Sequence, residues 1–235
     1  MKFLFLVGVE GCGHSMIRSV LSRFFGEAWF VDEGDWHEKM TDFWKPDASL
    51  RDRLKGRKKI EKSLSKYLKQ GYTHLFDSAS FPFDQPRNSL RRFDLVELAD
   101  ILIDYMEIRL LVPYRNPISA TFSGIRRGFT KHPYEQCKIV EDNLIFLNSQ
   151  LSQLRSDIYR KLAFEEFLLD PWSHIGRLAS WWDLEETELA KGCERLRSPT
   201  RLEQIPKRIR RCLEDFFTIS RLQQWPLLTS QENYL

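Results

Sequence analysis

The chain has 235 residues, with 36 Lys and Arg against 33 Asp and Glu for a formal charge of +3, and it is 42% hydrophobic and 29% charged. Those values suit a globular protein with a substantial core and exclude a polybasic nucleic-acid coat or a low-complexity chain. No apolar run approaches the ~18 to 20 residues of a membrane span. Cys12, Cys137, Cys193 and Cys212 are too scattered for a disulfide framework or a zinc-ligand pattern, so reduced thiols and a cytoplasmic location are expected.

The opening run, Met1 to Val7, is about seven residues long and leads into a glycine-rich stretch without a small-residue cleavage site, so it reads as a strand and not as a leader. Gly8-Val9-Glu10-Gly11-Cys12-Gly13-His14-Ser15 follows, and then apolar residues at helical spacing from Met16 to Leu21. Strand, glycine loop and helix make an anion cradle: glycines let backbone N–H groups turn inward, the helix aims its positive end at the same point, and Ser15 adds a hydroxyl. The spacing fits the Walker-type G-x-x-x-x-G-K-[ST] pattern except that His14 replaces the lysine. The same glycines also suit a tight strand-to-helix turn.

Ala28 to Val31 reads as a second strand, and it empties into an acidic cluster of Asp32, Glu33, Asp35, His37 and Glu38. Gly56 to Gln70 carries Ile60, Leu64 and Leu68 at helical spacing and stops at Gly71. Thr73 to Asp77 predicts a strand with His74 as a core histidine, Ser78 to Pro82 a loop, and residues 90–105 an amphipathic helix. Ile108 to Val112 predicts a strand ended by Pro113, 134–155 a long helix, Tyr159 to Phe164 a last strand, and the remainder to about 217 mostly helix, with Trp181-Trp182 in the core and Lys207 to Arg211 on one helix face. Strands alternating with helices at intervals of about 30 residues predict an α/β fold, a P-loop-type parallel sheet flanked by helices with a helical C-terminal part, forming one domain over 1–235. Functional residues then belong beyond the carboxyl ends of the strands.

A second signal is Leu111-Val112-Pro113-Tyr114-Arg115-Asn116-Pro117, followed by Ser123 eight residues after the arginine. A strand-end arginine beside a helix opened by Pro117 offers a rigid fork for a phosphate monoester, and Arg126 and Arg127 add charge on the next turns. An arginine cluster on a solvated helix has the same composition.

Together the two stretches resemble the sulfotransferases that use 3′-phosphoadenosine 5′-phosphosulfate (PAPS). In that family the N-terminal loop holds the 5′-phosphosulfate, and a strand ending in R-x-P with a serine eight residues after the arginine holds the 3′-phosphate. The resemblance implies donor binding by Gly11, Cys12, Gly13, His14, Ser15, Arg115 and Ser123, without a metal. A third match is Phe164-Glu165-Glu166-Phe167-Leu168-Leu169-Asp170-Pro171, similar to the family's Y-E-D-L-x-x-D-P, with Phe164 in place of Tyr. The family's loop carries a basic residue where this chain has Gly11. His14 is the nearest replacement for that charge, with Arg87 or Lys45 as loop-borne alternatives.

In relatives that sulfate protein tyrosines the base is a glutamate in an acidic stretch, which, counted 20 residues from Gly13, falls on Glu33, with Asp32 second and Asp35 and His37 in reserve. The catalytic expectation is therefore Glu33, Asp32 and His14. A solvated loop with Asp35 capping a helix explains the same acids. Asp77 and Ser80 are candidates for orienting the acceptor, Phe164 or Phe81 for stacking on adenine, and Arg195 to Arg201 for a basic loop over the 3′-phosphate. The acceptor is a hydroxyl, or an amine, on a small molecule, carbohydrate or peptide; no nucleic-acid partner is implied. The competing readings are a P-loop kinase using ATP and magnesium, which wants Lys at position 14, and a sulfotransferase-fold binding protein with weak catalysis.

Overall fold

The computed structural model describes residues 1–31, 49–81, 94–130, 132–194, 196, 202–218 and 222. Five strands form its sheet: β1 (Lys2–Val9), β2 (Trp29–Val31), β3 (His74–Phe81), β4 (Glu107–Tyr114) and β5 (Tyr159–Ala163), in the order β2-β3-β1-β4-β5. Every pairing is parallel, so all the carboxyl ends lie along one edge.

Alternation along β1 divides the core in two, because successive side chains of a strand point to opposite faces. Phe3, Phe5, Val7 and Val9 pack on one face with Ile60, Leu64 and Tyr67 of α2 (Leu50–Lys69), Leu95 and Leu98 of α3 (Leu95–Leu102), and Val140 and Leu144 of α5 (Pro133–Leu151). Leu4 and Leu6 face the other way, toward Ile17, Val20 and Leu21 of α1 (His14–Leu21), Ile175 and Leu178 of α7 (Pro171–Trp182), and Leu189 of α8 (Glu186–Cys193). Helix α4 (Pro117–Arg126) joins the first face through Ala120, α6 (Phe164–Leu169) joins the second through Phe164 and Phe167, and α9 (Lys207–Phe216) closes the first face with Leu213 and Phe216. Each fully buried Phe or Leu contributes roughly 1.5 to 3 kcal/mol. A sheet covered on both faces explains why its central strands read as unbroken apolar runs.

Four expectations are corrected. Ser78 to Phe81 continue β3 instead of forming a loop: β1 runs on to Val9, pairs with Phe81, and gives these residues a partner to the end. Pro113 lies inside β4, pairing with Leu162 of β5, where the β1 ladder already stopped at Leu111 and a missing N–H is tolerated. His74 starts β3, half-buried, with its ring stacked on Trp29 at 4.6 Å, at the edge away from the glycine loop. Helix α2 starts earlier than its periodicity suggests because Ser49 caps it, accepting from the Asp52 N–H at 3.2 Å.

Candidate active site

The glycine loop joins β1 to α1, and its shape is fixed by what presses on it. Gly8 sits against Pro113, where a Cβ would lie 3.0 Å from the proline carbonyl oxygen. Gly11 and Gly13 have φ of +91° and +93°, which L side chains rarely adopt. A Cβ on Gly11 would meet the Ala120 carbonyl oxygen of α4 at 2.6 Å, and one on Gly13 would enter the Phe164 ring at 2.1 Å. Backbone alone fits there. The helix-opening N–H groups of His14 and Ser15 find no acceptor among the described residues, and Ser15 is exposed.

Arg115 leaves the end of β4 and is 7% exposed. Its Nη1 donates to the Gly11 carbonyl oxygen at 2.9 Å, its Nε lies 3.4 Å from Glu165 Oε1, and its guanidinium stands 5.2 Å from the centre of the Phe164 ring. Glu165 also accepts from the Asn116 N–H at 3.3 Å, and burial raises its pKa although the Arg115 charge opposes the shift. Asn116 in turn caps α4, its side chain accepting from the Ile118 N–H at 3.0 Å with Pro117 at the first helical position. Ser123 is partly buried two turns further along α4. The structure thus gathers Gly11, Gly13, Arg115 and Glu165 at one point.

Cys12 is buried, and desolvation pushes its thiol up to about 12, so it offers no thiolate. Both ring nitrogens of His14 are buried with no well-formed hydrogen bond among the described residues, and burial pushes its pKa down to about 4, with the nearby Ala79 backbone opposing the shift and the charge of Arg127 adding to it. The imidazole is therefore neutral near pH 7 and does not supply the charge missing at Gly11. Asp77 is fully buried in mid-strand opposite Phe5, accepting from the Ser78 N–H at 2.7 Å, and is remote from the strand ends. Phe81 is 0% exposed and packs edge-on to Phe146, which leaves no face for adenine.

Sequence reasoning missed a cluster built on Glu10. Its Oε2 accepts from the Ser80 hydroxyl at the end of β3, and its Oε1 from Nη1 of Arg127, the residue that closes α4. The available signal was an acid inside an anion loop, which demands a counter-charge. Asp32, Glu33, Asp35, His37, Lys45, Arg87 and all of Arg195 to Arg201 except Leu196 lie outside the described residues. Among the described residues no group of His, Cys, Asp and Glu is arranged to hold a metal ion, and no helix is long and apolar enough to cross a membrane.

No family model matches the chain, and no curated protein matches it. Solved structures do match. A sulfotransferase from Alicyclobacillus acidocaldarius, 14% identical, superposes with a TM-score of 0.58 over 97% of this chain and 95% of its own. The sulfotransferase domain from the curacin biosynthetic pathway, 13% identical, gives 0.52 over 97% of each chain. The chain has a sulfotransferase fold. In this sulfotransferase-fold chain the glycine loop and Arg115 stand where parallel α/β sheets bind ligands, beyond the carboxyl ends of adjacent strands β1 and β4.

Proposed function

We propose that the chain is a sulfotransferase that moves a sulfuryl group from PAPS to a hydroxyl or amine acceptor, acting as one domain. The observation that carries this reading is Arg115, a buried arginine joined to the carbonyl of the glycine loop and cushioned by Phe164. A phosphate loop and a phosphate-type arginine on neighbouring strands suit a ligand with two separate phosphate centres, as PAPS has. The residues also fit such an anion locally: the glycines leave room only for backbone, and the first N–H groups of α1 have no partner among the described residues.

PAPS, when bound, supplies the sulfuryl group, whose S–O bond to the 5′-phosphate breaks as the acceptor's hydroxyl oxygen or amine nitrogen bonds to sulfur. The chain's task is then positioning and charge stabilisation. Backbone N–H groups of Gly13, His14 and Ser15, with the Ser15 hydroxyl, hold the 5′ end; His14 acts as a neutral group, and Cys12 contributes backbone. Arg115 and Ser123 hold the 3′-phosphate, Arg115 turning from Glu165 to an anion of higher charge. Glu33, or Asp32 beside it, takes the acceptor's proton. Four free thiols suit a reducing compartment such as the cytoplasm.

Thermal shift tests the reading. Adenosine 3′,5′-bisphosphate without metal is expected to raise the Tm, with about 2.7 kcal/mol of added stability at 100 times its Kd, and Arg115→Ala is expected to abolish the response. Stabilisation only by ATP with magnesium would instead favour a kinase.

A further inference from the structure

The loop lacks a basic side chain at Gly11, and the neutral imidazole of His14 does not replace it. Arg127 lies close by. Its Nη1 is held by Glu10, the residue immediately before Gly11, and Glu10 is held in turn by Ser80. Ser80 belongs to β3, which flanks β1 on the side away from β4, so Glu10 is held both from β3 and from the far end of α4, the helix that Arg115 precedes. The Arg127 side chain is 49% exposed where that of Arg115 is 8% exposed, and its remaining N–H groups find no acceptor among the described residues. Its charge reaches the His14 imidazole at the mouth of α1, where it opposes protonation.

Resting on the sulfotransferase reading above, we propose that Arg127 contacts the sulfuryl end of the donor, replacing the basic side chain absent at Gly11, and that Glu10 and Ser80 are the positioning residues that hold it at the loop. The arrangement accounts for an acid inside an anion site. Left alone, the Glu10 carboxylate would repel a polyanionic donor; paired with Arg127 and bonded by Ser80 it becomes the anchor of a guanidinium that keeps donors to spare. A guanidinium also matches sulfuryl oxygens in pairs, which a point charge does not.

The test compares two ligands that differ only in the sulfuryl group, by titration calorimetry without metal or acceptor. The wild type is expected to bind PAPS more tightly than adenosine 3′,5′-bisphosphate. Arg127→Ala should weaken PAPS about tenfold and the bisphosphate less than about threefold, since a lost charge-assisted contact is felt only by the group it touches. Because Arg127→Ala also exposes the Glu10 carboxylate, the double variant Glu10→Gln/Arg127→Ala is decisive: it should keep the selective loss, whereas repulsion by Glu10 alone would be relieved. Arg127→Lys should recover part of the preference. An unchanged ratio of the two affinities in the double variant overturns the role of Arg127 while leaving the sulfotransferase reading intact. If the wild type binds neither nucleotide, that reading falls and the role of Arg127 falls with it.

Discussion

At the scale of single residues, burial decides the charge of His14 near neutral pH. An exposed histidine at a phosphate loop would be part-charged near neutrality, but this one has its pKa lowered from 6.5 to about 4 by desolvation and the nearby Arg127 charge. Between those pH values the unfolded chain binds a proton that the folded chain refuses, so the stabilisation is present above pH 6.5 and drains away as pH falls toward 4. The slope is about 1.4 kcal/mol per pH unit, or about 3 kcal/mol across the window. The Tm of the wild type should therefore fall more steeply from pH 7 to pH 4 than that of His14→Gln. Equal slopes would mean that the imidazole is not held neutral. Sequence alone identified the loop and Arg115, because glycine spacing and a strand-end arginine are local patterns. The charge state of His14 was not legible, since it depends on residues brought over it by the fold. The Glu10 cluster was hidden for the same reason: its partners Ser80 and Arg127 lie 70 and 117 positions away.

Elements show the same division between local and assembled information. The strands announced themselves as apolar runs, while the end of β3 did not, because Ser78-Ala79-Ser80 carries no strand preference and is held only by pairing with β1. Close approaches between helices were equally silent in the sequence. Gly192 of α8 is an example: a Cβ there would lie 2.7 Å from the Val20 Cα and carbonyl oxygen of α1. Backbone meets backbone at that crossing, so no side chain can yield. Gly192→Ala is expected to push the two helices apart and cost about 1 to 3 kcal/mol, lowering the Tm by roughly 2 to 4 °C per kcal/mol. A Tm within a degree of the wild type would rule out so close a crossing. Helix α1 opens at the anion loop, so the same variant should also weaken the response to adenosine 3′,5′-bisphosphate.

For the molecule as a whole, the thiols report how completely the two cores are closed. Cys12, Cys137 and Cys193 are buried and Cys212 is partly exposed, with no disulfide among them. Desolvation raises Cys12 to about 12 and Cys193 to about 11, which further suppresses the reactive thiolate. A disulfide reagent such as Ellman's should modify one thiol quickly in the native protein, lost in Cys212→Ser, and the other three only on unfolding. Rapid reaction of two or more would mean that one of the cores is open.

The contact between Gly13 and Phe164 bears on the order in which the protein is made. The loop is encoded within the first fifteen residues, yet its glycines are shaped by Ala120, Arg115 and the ring of Phe164, more than a hundred positions downstream. A nascent chain can build β1 and α1 early, but the cradle between them stays unformed until β4, β5 and α6 have docked. Anion binding is thus among the last properties the chain acquires as it folds, and a ligand that binds there reports on the entire sheet.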